Sequence, residues 1–321
     1  MGTVVHVPQT RDMIGEELSG DEALVALRKY GGARRLIADS FSRFRYADGF
    51  TNARALAFQV VVGLVPFTAA LVGLTTSAHT EDIGRVIELT LQRIVPGTSD
   101  GIVRDVLEGT RRTAHGGVWS NLALVLGLGF AVVNLASAMA QIERGANRIY
   151  GIERDRPVTH KYGRALVLAG AAGLPMVLGF LVLVTGDAVA GAVAESLGLP
   201  GGARWWAPLD IPLGLLLSWT ASAVIFRWSP RRRQPGYTWL ALGSAVHLAI
   251  WVTATGLLEL YVSNSAGFGA VYGPLTAFIA LLLWANLTGI ALFLGIAFAA
   301  QLEAARAGLH SAVRPDPGPG D

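Results

Sequence analysis

The sequence predicts an all-α membrane protein, a six-transmembrane-helix bundle with short amphipathic interfacial helices and both termini in the cytoplasm. Three observations predict it. Only 15% of the 321 residues are charged while 52% are apolar, against about 25% charged in a soluble domain, and so few polar groups cannot cover a water-exposed body. The apolar residues gather in six blocks with almost no charge, rather than in stripes. Lys and Arg alternate between the connections of those blocks, 20 on one side and 6 on the other. The more basic side stays in the cytoplasm.

Residues 1–52 are read as a cytoplasmic segment. The first 23 lack an apolar core and contain Asp12, Glu16, Glu17, Asp21 and Glu22, unlike a secretory signal, so the first span serves as its own insertion signal. Ile37, Phe41 and Phe44 then recur at helical spacing, flanked by Arg34, Arg35, Arg43 and Arg45. This predicts a basic helix lying in the inner headgroup layer, either as a plain anchor or as a reader of anionic headgroups. The membrane domain, 53–302, carries spans over 53–77, 118–141, 163–189, 207–226, 238–262 and 271–300. Each approaches or exceeds the roughly 20 residues that cross a bilayer core. The fourth is the weakest, because Asp210 and Pro212 sit in its first turns. The last is the longest, with no charged side chain between Glu259 and Glu303.

Residues 78–117 form the one sizeable external connection. Ile83, Val86, Ile87 and Ile94, then Ile102, Val103, Val106 and Leu107, repeat at helical spacing around Pro96 and Gly97, which predicts two short amphipathic helices. Residues 303–321 make a cytoplasmic tail whose Pro- and Gly-rich end is expected to be disordered.

Catalytic chemistry has little to stand on. The chain has no cysteine, and its six histidines are scattered with no two at i, i+4. No carboxylate pair flanks a histidine at ligand spacing, and no glycine-rich loop ends in Gly-Lys-Ser/Thr. No metal, cofactor or enzymatic activity is therefore expected. The net charge of +3 reflects orientation in the bilayer, so nucleic acid is not expected as a partner. Membrane lipids are the expected partners, with a lipid-like substrate and a homodimer as further candidates.

Any activity must use the few polar residues inside the spans, where such groups are costly. Gln59 lies in span one, Asn134 in span two, His247 in span five and Asn286 in span six. Asp187 and Glu259 sit near the outer ends of spans three and five, and with Asp210, Tyr261, Asn264 and Tyr272 they would form an acidic, hydrogen-bonding group at the external mouth. Pro66, three residues after Gly63, frees the carbonyl of Val62 in mid-span. Each has a plainer reading as well. The acids can reach headgroups, the asparagines can bond neighbouring helices, His247 can be a satisfied core residue, and Pro66 can simply bend its helix.

Ala55-Leu56-Ala57-Phe58-Gln59 followed by Gly63-Leu64-Val65-Pro66, then Asn147-Arg148-Ile149-Tyr150-Gly151, resemble the YihY/BrkB (YhjD-like) family of bacterial inner-membrane proteins. Tyr261-Val262-Ser263-Asn264, Val271-Tyr272-Gly273, Trp284 and Gly295 are similar to that family's closing signature. The likeness spans about residues 35–305 and implies six spans, a bacterial inner (plasma) membrane location and a role in envelope integrity. For one branch it implies export of lipopolysaccharide precursors. The older ribonuclease BN label is regarded as a misassignment. Two departures stand out: Phe58-Gln59 and Gly63 replace an aromatic pair and a Ser, and Ile296-Ala297 replaces an Ala-Glu. The expected function is transport or flipping of a lipid-like or amphiphilic envelope component, with a non-transporting scaffold for envelope assembly as the alternative.

Overall fold

The computed structural model describes residues 5–10, 20–30, 32–77, 118–152, 156–183 apart from 177, 180 and 181, 209–264, 275–308 and 311–315. The elements run in chain order as β1 (Val5–His6), α1 (Gly20–Lys29), α2 (Ala33–Tyr46), α3 (Gly49–Ser77), α4 (Val118–Ile149), α5 (Val158–Leu168), α6 (Asp210–Trp228), α7 (Tyr237–Asn264), α8 (Thr276–Arg306) and β2 (Arg314–Pro315). A five-residue π turn, Ala169–Gly173, continues α5. Among the described residues, four segments are long and apolar enough to cross a membrane: Val125–Ile149, Asp210–Trp228, Tyr237–Asn264 and Phe278–Arg306. Among the described residues, the all-helical reading holds apart from one two-residue strand pair. In that pair Val5 is opposite Pro315 and His6 opposite Arg314.

The helix α8 occupies the centre, packing against α7, α3, α2 and α4. Its residues Ala291, Leu292, Phe293, Ile296, Ala297, Ala299 and Ala300 are all buried, the alanines letting neighbouring helices approach closely in lipid. The α3–α4 pair and the α6–α7 pair complete the packing around it. Conversely, Val125, Leu126, Phe130 and Val133 on α4 are exposed, as expected of an apolar face turned to hydrocarbon rather than water.

Two helices overrun the blocks that announced them. Hydropathy ends span two at 141 and span six at 300, whereas α4 continues to Ile149 and α8 to Arg306. The added turns carry Glu143, Arg144, Arg148, Gln301, Glu303 and Arg306. They project past the apolar layer as helix, and the N-terminal elements fold onto them. There α2 turns into α3 at Ala47–Asp48, with Asp48 at φ 57°, a conformation a short polar side chain tolerates. The rings of Phe44 and Phe50 meet edge to face at 4.8 Å across this corner.

The two faces of α2 differ from the simple interfacial reading. Leu36, Ser40, Arg43 and Phe44 are buried, while Ile37 and Phe41 are exposed. Arg43, expected to flank the apolar stripe toward the headgroups, points into the protein. The predicted external helices of 78–117 lie outside the described residues.

Candidate functional site

A seam of amides runs between α3 and α4. Asn52 and Gln59 are seven residues apart on α3, and Asn134 and Gln141 seven apart on α4, so each pair shares one helix face. The helices are antiparallel: Gln141 Nε2 donates to Asn52 Oδ1 at 2.9 Å, and Gly63 lies against Asn134. A Cβ added at Gly63 would come 3.3 Å from Asn134 Cγ. Gln59 therefore sits about 6 Å along the helix from the Asn134 contact, at 1.5 Å per residue. From α8, Asn286 shares a face with Phe293, seven residues on, and Phe293 abuts Gly145 of α4.

The rungs differ in how they are satisfied. The Asn52–Gln141 rung is closed, with Asn52 Nδ2 also donating to Asp48 O at 3.0 Å. Further along, Gln59 Oε1 and Asn286 Oδ1 are buried atoms with no hydrogen-bond partner. Gln59 and Asn134 are half-buried, and the residues beside them, Phe58, Val60, Val133 and Leu135, are exposed. The open part of the seam thus borders the lipid-facing surface.

Below the seam, the overrunning helix ends form a buried polar knot. Arg43 Nε donates to Gln301 Oε1 at 2.8 Å and Arg43 Nη1 to Ile149 O at 2.9 Å. The second of these satisfies a carbonyl that the end of α4 leaves without a helical partner. Gln301 Nε2 donates to Tyr30 Oη at 2.7 Å, and Tyr30 Oη donates to Asp39 Oδ2 at 3.0 Å. The α6–α7 connection inserts its arginine: Arg232 pairs with Glu303 and Thr10 and lies 4.8 Å over the Tyr150 ring. Arg156 pairs with Glu143 at 2.8 Å and donates to Pro230 O in the connection after α6. Burial drives the electrostatics. It pushes the Arg43 guanidinium down to about 10 and the Tyr30 phenol up to about 12, and raises Tyr150 as well.

Among the predicted residues, the structure brings Gln59, Asn134 and Asn286 to the α3–α4–α8 region. His247 is buried elsewhere, between α6, α7 and α8, with Ser222 Oγ 2.9 Å from Nδ1. Pro66 falls within the unbroken helical run of α3. Glu259 and Asn264 are exposed on α7, where Asn264 Nδ2 donates to Leu260 O at 2.8 Å. Asp187 and Tyr272 lie outside the described residues. Among the described residues, no group of three or more His, Cys, Asp or Glu is arranged to hold a metal ion. Sequence reading missed Asn52, Gln141, Arg43, Tyr30, Gln301 and Ser222. The seven-residue spacing of the four amides was the signal available for the first two.

Comparison with known proteins fits this architecture. The chain is 25% identical over 271 residues to the protein named ribonuclease-like YfkH of Bacillus subtilis (strain 168), covering 81% of this chain and 92% of that protein. It is 26% identical over 273 residues to a UPF0761 membrane protein of Chromohalobacter salexigens and 27% identical over 273 residues to one of Azotobacter vinelandii. These matches cover 84% and 83% of this chain but only 63% and 62% of the relatives, so the chain spans less than two thirds of either UPF0761 protein. No solved structure matches it significantly. The family model described as Virulence factor BrkB matches residues 40–317, and the chain belongs to that family of membrane proteins.

Proposed function

We propose that the chain is an inner-membrane protein of six spans, with both termini cytoplasmic, that moves a lipid-like or amphiphilic envelope component across the bilayer. The headgroup travels along the α3–α4 seam while its chains stay in the surrounding lipid. One observation carries this reading: Gln59 Oε1 and Asn286 Oδ1 have no partner, and the seam beside Gln59 opens between lipid-facing residues. An unpaired amide oxygen in an apolar layer costs about 1–3 kcal/mol, and a passing headgroup with hydroxyl or ammonium donors relieves that cost. No catalysis is proposed, and the ribonuclease-like label belongs to the relative that bears it.

The test is the leaflet distribution of lipid-linked envelope intermediates in cells lacking the protein. Wild type should restore it, and Gln59→Leu with Asn134→Leu should not. Restoration by the doubly substituted protein sinks the seam as a path. The scaffold reading is favoured by a different feature, a cavity of about 750 Å³ between α1, α2 and the end of α8, lined by Asp21, Glu22, Lys29, Tyr30, Arg35 and Arg306 among others. A docking protein of mixed charge would fit there. Loss of function on charge reversal at Arg35 and Arg306, with the double Leu variant active, would select that reading.

A further inference from the structure

His247 is 2% exposed, and its ring is held from one side. Ser222 Oγ, 2.9 Å from Nδ1, also donates to Ser218 O at 2.7 Å. A serine hydroxyl has one hydrogen. With that hydrogen on Ser218 O, the oxygen accepts from Nδ1–H, which makes the neutral ring the Nδ1–H tautomer and leaves Nε2 a bare lone pair. Nε2 is buried and has no hydrogen-bond partner.

The surroundings of the ring are apolar and closely packed. From α6 comes Phe226, its ring centroid 6.3 Å from the imidazole. From α8 comes Gly295, where an added Cβ would lie 2.6 Å from His247 Cβ and 2.9 Å from the carbonyl oxygen of Gly243, one turn earlier on α7. The charged and titratable groups of the packed elements stand at their ends. On α6 they are Asp210 and Arg227, the latter turned to Pro235 O and the Tyr237 ring. On α7 they are Tyr237, Glu259 and Tyr261; on α8, Glu303 and Arg306; and on α1, which packs on α7, Asp21, Glu22, Arg28 and Lys29. Among the described residues, none of the contacts made by the ring is to one of these groups.

We propose that His247 is a proton-binding site that couples the packing of α6, α7 and α8 to pH, a proposal that rests on the translocation reading by supplying its coupling ion. A proton from water adds to the Nε2 lone pair. The ring becomes imidazolium, Nδ1–H stays on Ser222, and no covalent bond breaks within the protein. The new Nε2–H needs an acceptor that the present packing does not offer. The cationic ring therefore favours a second arrangement of the three helices, one that admits water or an anionic headgroup to Nε2.

Nitrogen NMR of ring-labelled histidine in the full chain, reconstituted in lipid nanodiscs, tests the site directly. One ring, absent from His247→Gln, should show a bare Nε2 and a protonated Nδ1 at neutral pH and gain a second N–H on acidification while the helices persist. A ring protonated at Nε2 at neutral pH, or one that stays neutral throughout the folded range, overturns the proposal. Ser222→Ala is the second variant, and should release the tautomer without unfolding the bundle. Movement of fluorescently headgroup-labelled phosphatidylglycerol in membrane vesicles gives the other arm. Wild type should move it at least fivefold faster with a proton gradient than after a protonophore, and His247→Gln equally in both. Gradient-independent movement by wild type overturns the coupling. If wild type moves no lipid, the translocation reading falls, and the titration alone then decides the proton site.

Discussion

Replacing Gly295 by Ala should loosen the junction of α7 and α8, and the cost can be worked from the packing. A methyl at 295 would lie 2.6 Å from His247 Cβ, 2.9 Å from Gly243 O and 3.0 Å from Phe226 Cζ. Ordinary carbon contacts are about 3.5–4.0 Å, so the helices must part by about 1 Å. The first two obstacles are a Cβ and a backbone oxygen, which no rotamer change can move. Overpacking of this kind costs about 1–3 kcal/mol. Intrinsic helix propensity works the other way, favouring Ala over Gly by about 1 kcal/mol. The matched control is Gly256→Ala on α7, where an added Cβ meets nothing within 4 Å. Thermal unfolding of both variants in one lipid environment should show Gly256→Ala equal to or more stable than wild type, and Gly295→Ala less stable than Gly256→Ala by about 1–3 kcal/mol. Equal stability of the two would refute the close approach of α7 and α8.

Further predictions follow from the knot and the seam. Arg43→Met strips donors from Gln301 Oε1 and Ile149 O and should destabilise the protein by about 2–4 kcal/mol, read by denaturation in lipid. Gln59→Leu should leave stability unchanged or raised, because it removes an unpartnered amide oxygen, yet should abolish activity if the seam is a path. Tyr30 is the pH probe. Its folded pKa is raised from 10.0 to about 12, chiefly by burial, so its contribution is complete below pH 10 and is lost as pH rises toward 12. Alkaline unfolding should therefore be steeper in wild type than in Tyr30→Phe over that window.

The helices were legible because charge-free blocks have few other uses, and the central place of α8 follows its long uncharged run. The helix ends were not. Hydropathy stops where charges begin, but Glu143 and Arg156, or Arg232 and Glu303, pair across elements and let α4 and α8 continue. Basic residues counted only as orientation signals thus also hold the helix ends and their connections together. Arg43 was misplaced because the buried side of α2, Leu36, Ser40, Arg43 and Phe44, mixes polar with apolar residues, while the exposed Ile37 and Phe41 contribute to the apolar spacing. Gln59, Asn134 and Asn286 were found as costly residues, but the seam that brings Gln59 and Asn134 together needed the antiparallel register set by the Asn52–Gln141 bond and the Gly63–Asn134 contact. Glu259 and Asn264 were grouped as a mouth by sequence position; the helix presents both on its exposed surface, and Asp187 and Tyr272 of that group lie outside the described residues.

The small strand pair near the chain's ends constrains topology more than its size suggests. Backbone bonds link Val5 and His6 to Arg314 and Pro315, and such a pair cannot form through a layer of hydrocarbon. Both ends must then occupy one aqueous compartment, so the chain between them crosses the bilayer an even number of times. Four or six crossings satisfy this parity, and five or seven violate it. Reporter fusions at residue 5 and residue 315 must agree in sign whichever side they mark.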